Sequence, residues 1–298
     1  MNKYPFILIF DIDNTVIGDV KLLHQEAQLL EYIYNTCKKE KIGKCKLIEN
    51  INMQKELKTG MLRPNIKEFI KFCDSKFKNV EIFFYTGSPY KWTNTSLGSN
   101  IEKVLNIKIN RPFFTRENMI KTTKGIEKSL ANIIPLIVKT LESRYPIMHR
   151  EKELDYIIKN RTIFIDDVKN NTYTYENRQI ICPKYNYRPP MYDVSNKFIK
   201  TYDIDPKIFN NKEVLNYMWN NNIYIYNTNG NIYQKNRDYC NIQRILDMKY
   251  SKLSKTNDRY YKDLIRELSK QSVKPGVISD KNIININEKL TNKDYSKK

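Results

Sequence analysis

Hydrophobic residues in this chain are concentrated in short blocks rich in β-branched and aromatic side chains. The blocks occupy residues 5–10, 80–85, 162–165 and 179–182. Each block is almost continuously apolar, which is typical of strands that are covered on both faces. The pattern therefore predicts buried strands at these positions rather than strands with one face in water.

The stretches between the blocks carry apolar residues at the spacing of one helix face. Pro64, which suits a first helical turn, precedes the first of these stripes. The first stripe consists of Ile66, Phe69, Ile70, Cys73 and Phe77, and the second of Ile126, Leu130, Ile133, Ile134, Ile137 and Leu141. Strands that alternate with helices predict crossover connections, and hence a doubly wound α/β fold of three layers around a mainly parallel sheet.

Two regions depart from this alternation. Residues 19–60 begin with a helical stripe and continue into a Lys-rich stretch, which we interpret as a helical insertion over the carboxyl edge of the sheet. Beyond residue 190 the composition shifts to Asn, Tyr, Lys and Ile. This shift indicates a domain of residues 1–190 followed by a basic C-terminal extension over 191–298.

The extension itself is expected to be rich in α-helix. The pattern predicts one helix near residues 211–219 and another within 237–270. Residues 280–298 show little apolar periodicity, so we expect the last part of the chain to be flexible.

The charge balance narrows the class of partner. The 298 residues include 52 Lys and Arg against 33 Asp and Glu, which gives a net charge of +19. Such a surplus suits polyanionic partners such as nucleic acid or multiply phosphorylated peptides. Because 40% of the residues are hydrophobic, the chain has enough apolar material for a core, which excludes wholesale disorder.

The first apolar block indicates where in the cell the protein is expected to be found. It is too short to cross a bilayer, and Asp11 and Asp13 follow it at once, where a secretory signal would place small residues. The sequence therefore predicts neither a signal peptide nor a transmembrane segment. We expect a soluble intracellular protein, in the cytoplasm or nucleus, with no membrane partner.

The residues that bind soft metals are scarce. The 5 cysteines are widely scattered without a CxxC pair, and the chain has only 2 histidines. This pattern argues against zinc and against a disulfide framework. Any metal should therefore be bound by oxygen ligands, which favours a hard cation such as Mg²⁺.

Oxygen-bearing side chains follow three of the predicted strands. Taken one at a time, such residues are commonly solvated loop acids or helix caps. The carboxyl ends of parallel strands, however, meet at the edge where open α/β sheets bind ligands. The presence of such side chains at three strand ends therefore predicts a functional site there. Its candidate residues are Asp11 and Asp13, then Thr86, Gly87 and Ser88, then Asp166 and Asp167.

In their order and spacing these motifs resemble the haloacid dehalogenase-like hydrolase superfamily. That superfamily carries DxDx[TV] after the first strand, a Thr or Ser after the second, a downstream Lys and a later acidic pair. The resemblance extends to the FCP/SCP-like (NIF-type) phosphatases, which act on phosphoserine in the C-terminal domain of RNA polymerase II. Across residues 5–190 it is carried by the segments 11–15, 63–70, 85–88, 91–92, 116–117, 128–130 and 166–168.

The resemblance implies a phosphomonoesterase that works through an aspartyl-phosphate. Asp11 is then the nucleophile, and Asp13 protonates the leaving group and later activates water. Lys128 supplies the fixed positive charge of the third motif. Lys121 and Lys124 compete for this role on charge alone, but the match to the Lys-x-Leu signature favours Lys128.

The resemblance also implies a phosphate site and a Mg²⁺ cofactor. Thr86, the amide of Gly87 and Ser88 are expected to bind phosphoryl oxygens. The expected metal site is built from Asp11, Asp13 through its backbone carbonyl, Asp166 and Asp167. One departure is Val168, since the FCP/SCP-like phosphatases commonly carry Ser after the acidic pair.

The expected substrate is a phosphoserine or phosphothreonine protein or peptide, with the RNA polymerase II C-terminal domain as one candidate. Two alternatives remain open. The charge of +19 would also serve a phosphatase of nucleic-acid ends. The third hypothesis is a binding or regulatory module that keeps the fold with little catalysis, against which the complete set of acids argues.

Overall fold

The computed structural model describes residues 4–41, 52–123, 125–169, 171–187, 194–221, 258–271, 276–293 and 295. A four-stranded parallel sheet lies at its centre, with the strand order β2-β1-β5-β6. Its strands are β1 (Phe6–Phe10), β2 (Val80–Phe84), β5 (Thr162–Asp166) and β6 (Gln179–Ile181), and the antiparallel pair is β3 (Ile120–Thr122) and β4 (Gly125–Glu127). The four predicted strand blocks and the mixed α/β class with a parallel sheet are confirmed.

The helices lie between and after the strands. Among the residues that the structure describes, no helix is both long and apolar enough to cross a membrane. The helices are α1 (Lys21–Glu40), α2 (Met53–Glu56), α3 (Ile66–Phe77), α4 (Tyr90–Trp92), α5 (Gly98–Leu105), α6 (Leu130–Leu141), α7 (Glu151–Asn160), α8 (Val194–Tyr202), α9 (Lys212–Asn220), α10 (Tyr260–Lys270) and α11 (Asp280–Thr291).

Both faces of the sheet are covered, because successive side chains of β1 enter two different cores. Leu8 and its even-numbered neighbours pack with Phe69 of α3 and Tyr261 of α10. Ile7 and Ile9 pack on the other face in a second core, which includes residues of α6 and α7. Helices on both faces explain why the strand blocks are almost continuously apolar.

The second predicted helical stripe begins later than its sequence suggests. Ser129 caps α6, since its side chain accepts a hydrogen bond from the Asn132 amide. The helix therefore starts at Leu130, while Ile126 lies in β4 and is exposed. The prediction that Ile126 belongs to the stripe is wrong, because the chain is a β-hairpin strand at that point.

The segment of residues 19–60 leaves the sheet edge and returns to it at adjacent positions. Ile17 and Leu62 pair in antiparallel fashion, and the Gly18 amide donates to the Met61 carbonyl at 2.8 Å. A Cβ at position 18 would lie 1.9 Å from the carbonyl oxygen of Tyr187, so only glycine fits this crossing. The helix α1 occupies the first half of the segment, as the stripe predicts.

The described part of residues 191–298 shares its core with the sheet. The predicted helix near 211–219 is confirmed as α9, and the one within 237–270 corresponds to α10, although 237–257 lie outside the described residues. The expected flexible end, residues 280–298, contains α11 instead. Ile283, Ile286 and Leu290 of α11 are buried in the core that covers β1.

The described cysteines depart from the sequence expectation in one respect. Cys37, near the end of α1, is disulfide-bonded, which the scattered cysteine pattern does not predict. Cys73 and Cys182 are free thiols in buried positions.

Candidate active site

The sheet topology brings the three candidate strand ends together. The first strand, β1, lies between β2 and β5, and Phe10 is level with Phe84 on one side and Ile165 on the other. The pairing continues one step beyond β1, since the Asp11 amide donates to the Ile165 carbonyl at 2.8 Å. The segments that follow β1, β2 and β5 therefore lie side by side.

A buried lysine joins two of these strand ends. Lys128 Nζ lies 2.5 Å from Asp11 Oδ1 and 2.7 Å from Asp166 Oδ2, and all three side chains are buried. Lys128 is held in place by its own carbonyl, which accepts the Tyr173 amide at 2.8 Å. Of the two competing lysines, Lys121 is exposed on β3 and Lys124 lies outside the described residues.

The Asp11–Lys128–Asp166 cluster is short of positive charge. Burial alone would lower the pKa of Lys128, but the charges of Asp11 and Asp166 outweigh it and raise that pKa above its ordinary value. Burial is the largest effect on Asp11 and raises its pKa. The charge of Lys128 lowers this pKa, and the charge of Asp166 raises it. One retained lysine proton thus faces two carboxylates, so a further cation would stabilise the site.

The carboxylate of Asp166 accepts three hydrogen bonds. Its Oδ1 accepts the Val168 amide at 2.8 Å, and its Oδ2 accepts Lys128 and the Asn171 side chain at 3.0 Å. Asp166 is therefore fixed in one orientation. Because Val168 contributes its backbone N–H and its side chain points outward, the departure from Ser at this position leaves the contact intact.

The neighbouring Asp167 is held by Thr15, which ends the DxDx[TV] motif. The Asp167 amide donates to Thr15 Oγ1 at 3.1 Å, and this hydroxyl donates to Asp167 Oδ1 at 3.5 Å. Burial, reinforced by the charge of Asp166, raises the pKa of Asp167 to about 6. Sequence reasoning missed Thr15 as a site residue, although its place in the motif was the available signal.

Three carboxylates meet at this edge. One oxygen each from Asp11, Asp166 and Asp167 lies within 4.8 Å of the others. Oxygen-only ligands with excess negative charge suit a hard divalent cation. The expected contribution of Asp13 is its backbone carbonyl, and its carboxylate lies outside this group and accepts hydrogen bonds from other residues.

Asp13 is bound by the residues that follow β2. Its Oδ2 accepts Ser88 Oγ at 2.9 Å and Thr86 Oγ1 at 3.1 Å. Its Oδ1 is buried and has no hydrogen-bond partner among the described residues. Burial raises the pKa of Asp13, while the two hydroxyl donors oppose the shift. A carboxyl group with a raised pKa and one free oxygen is suited to proton transfer.

The loop that carries Thr86 and Ser88 is clamped from outside. Arg116 Nε donates to the Gly87 carbonyl at 2.9 Å, and the Tyr90 amide donates to Glu117 Oε1 at 3.2 Å. A Cβ at Gly87 would meet no atom within 4 Å, so the space in front of this residue is open. Room for a small group therefore exists at Gly87, between the two residues that bind Asp13.

Comparison of the chain with protein-family models and with curated proteins finds no match. A functional proposal for this protein therefore rests on its motifs and on the geometry at the strand ends.

Proposed function

We propose that this protein is a Mg²⁺-dependent phosphomonoesterase of the haloacid dehalogenase-like type that works through an aspartyl-phosphate. The observation that carries the proposal is the buried Asp11–Lys128–Asp166 cluster with Asp13 beside it at the carboxyl ends of adjacent strands. A catalytically silent module has no need to bury charges of this kind, which are costly to desolvate.

In the first step Asp11 attacks phosphorus. Lys128 holds Asp11 Oδ1, so Oδ2 is the attacking atom. A bond forms between this oxygen and phosphorus while the bond from phosphorus to the leaving oxygen breaks. Asp13 gives its proton to the leaving oxygen, which departs as an alcohol.

In the second step a water molecule attacks the same phosphorus. Asp13, now ionised, takes a proton from the water as the bond between Asp11 and phosphorus breaks. Inorganic phosphate leaves, and Asp11 and Asp13 return to their starting states. The unpartnered Asp13 Oδ1 is the oxygen we assign to both proton transfers.

The same edge provides the remaining parts. Open space lies at Gly87, where Thr86, the amide of Gly87 and Ser88 would bind phosphoryl oxygens. Asp11 and Asp167, with Asp166 adjacent, would hold Mg²⁺. When bound, the ion would neutralise charge between the anionic substrate and the carboxylates.

Replacement of Asp13 by Asn should slow hydrolysis of a phosphoserine peptide by about 10²- to 10⁴-fold, because the leaving alkoxide then lacks a proton donor. With p-nitrophenyl phosphate the leaving group needs no proton, so phosphorylation of Asp11 should survive while its hydrolysis slows. Rapid-quench kinetics should then show a burst of nitrophenolate before slow turnover. Equal slowing of both substrates without a burst would remove Asp13 from this role.

The proposed substrate is phosphoserine or phosphothreonine in a protein, of which the RNA polymerase II C-terminal domain is one example. The competing substrate is a phosphorylated nucleic-acid end, which the charge of +19 would attract. Between about 0.05 and 0.2 M salt, we expect kcat/KM for a phosphoserine peptide to exceed that for a 3′-phosphorylated oligonucleotide throughout. A preference for the oligonucleotide that falls steeply with salt would instead establish nucleic acid as the substrate.

A further inference from the structure

The C-terminal helix α10 reaches the loop that follows β1. The hydroxyl of Tyr261 donates to the backbone carbonyl of Thr15 at 3.2 Å. Arg63 Nη1 approaches the same oxygen at 3.5 Å. This carbonyl, close behind the proposed catalytic acids, is therefore held by side chains from two distant parts of the chain.

Arg63 is itself fixed by a residue that precedes α10. Its Nη2 lies 2.9 Å from Asp258 Oδ2, and its Nε lies 3.2 Å from both oxygens of the same carboxylate. The guanidinium lies 4.6 Å from the ring centroid of Tyr260, and the whole arginine is buried. A planar guanidinium paired in this way has little freedom to move.

Thr15 is also held through its side-chain hydroxyl. This hydroxyl accepts the Asp167 amide at 3.1 Å and the Cys182 thiol at 3.4 Å, and it donates to Asp167 Oδ1. Thr15 is fully buried, so its position is set by these contacts. Its carbonyl is thus anchored to the C-terminal region while its hydroxyl orients Asp167.

We propose that Tyr261 and the Arg63–Asp258 pair are positioning residues that fix Thr15 and, through it, orient Asp167 for binding a divalent metal ion. The inference rests on the proposed function, because it takes Asp167 as a metal ligand. Residues 258–261 then belong to the active centre, although they lie far beyond the motif-bearing part of the chain. Residues that support metal ligands through hydrogen bonds hold those ligands in their binding orientation, and loss of such residues weakens metal affinity.

Two adjacent tyrosines offer a matched test. Tyr260 and Tyr261 are both fully buried on α10, but the Tyr260 hydroxyl has no hydrogen-bond partner in the described part of the chain. Tyr261→Phe removes the contact with Thr15, whereas Tyr260→Phe removes a hydroxyl that makes no hydrogen bond to the described residues. Mn²⁺ alone is the probe, with its free concentration measured by electron paramagnetic resonance in the full-length protein without substrate.

We expect the Kd for Mn²⁺ to rise about threefold to tenfold in Tyr261→Phe and to stay at the wild-type value in Tyr260→Phe. Asp167→Ala should raise the Kd by more than tenfold. Melting temperatures measured with a chelator check that all variants are folded and separate a purely structural contribution of Tyr261 from a metal-specific one.

Two results would overturn the inference, and they differ in meaning. If Asp167→Ala weakens Mn²⁺ binding but Tyr261→Phe binds as Tyr260→Phe does, the positioning role is wrong while the metal centre stands. If Asp167→Ala binds Mn²⁺ as tightly as the wild type, the metal centre and the proposed function fail together.

Discussion

Replacement of Asp11 by Asn is expected to reduce phosphatase activity by at least about 10⁴-fold while leaving the protein folded. The reason is that the amide cannot form the aspartyl-phosphate on which both proposed steps depend. The change is nearly isosteric, and its Oδ1 can still accept a hydrogen bond from Lys128. Loss of function should therefore not come from loss of packing.

The same variant should be at least as stable as the wild type. Asp11 and Asp166 oppose a single buried cation, Lys128, which leaves one negative charge uncompensated inside the protein. Asn at position 11 removes that charge. We therefore expect an equal or higher melting temperature in the presence of a chelator, in the manner of active sites that sacrifice stability for chemistry.

Turnover of p-nitrophenyl phosphate and thermal melting test both parts of this expectation. Asp155→Asn is the matched control, because Asp155 is exposed and forms an ion pair with Lys159 on α7. This control should behave as the wild type in both measurements. Normal turnover by Asp11→Asn would rule out an aspartyl-phosphate on this residue.

The second large effect concerns Lys128. Lys128→Met keeps most of the side-chain volume but leaves Asp11 and Asp166 facing each other without a cation. Breaking a buried ion pair from one side costs about 3–5 kcal/mol. We expect a loss of that size in the free energy of unfolding near pH 7, together with loss of activity.

The destabilisation should depend on pH in a defined direction. Burial raises the folded-state pKa of Asp11 above its ordinary value of 3.8. The folded state therefore binds a proton at this site more tightly than the unfolded state does. Such a group costs stability as the pH rises above its unfolded pKa. In the wild type Lys128 offsets this cost, and in the variant nothing in the cluster does. The variant should therefore recover part of its stability between about pH 7 and pH 4.

Urea unfolding at the two pH values measures this dependence. Lys121→Met is the control, since Lys121 precedes Lys128 by seven positions and is exposed on β3. It should change neither stability nor activity appreciably. A Lys128→Met variant as stable as the wild type at neutral pH would show that the cluster is not an ion-paired unit.

Much of the fold follows from local sequence patterns. The strand blocks are recognisable because both faces of the sheet are covered, so that Phe6–Phe10 and Thr162–Asp166 read as uninterrupted apolar runs. The strand-end acids follow from the same reasoning, because parallel strands bring their carboxyl ends to one edge. Thr86 and Ser88 follow β2, but their hydrogen bonds to Asp13 depend on loop geometry that no pattern encodes.

Other parts lie beyond local patterns. The α11 stripe of Ile283, Ile286 and Leu290 is obscured by the adjacent Ile284, which is exposed, and by intervening asparagines. Ser279 is a typical N-cap residue and was the available signal for the start of this helix. The Arg63–Asp258 pair joins residues 195 positions apart, and a single sequence carries no information about such a contact.

The helix α11 also has a consequence for the outer border of the sheet. Its Asn287 side chain accepts the Ile181 amide at 2.9 Å and donates to the Gln179 carbonyl at 2.8 Å, as a neighbouring strand would. Unpaired strand borders are templates on which other chains add and aggregate. One carboxamide thus occupies backbone groups of β6 that another strand would otherwise pair with, so α11 protects this border of the sheet as well as contributing to the core.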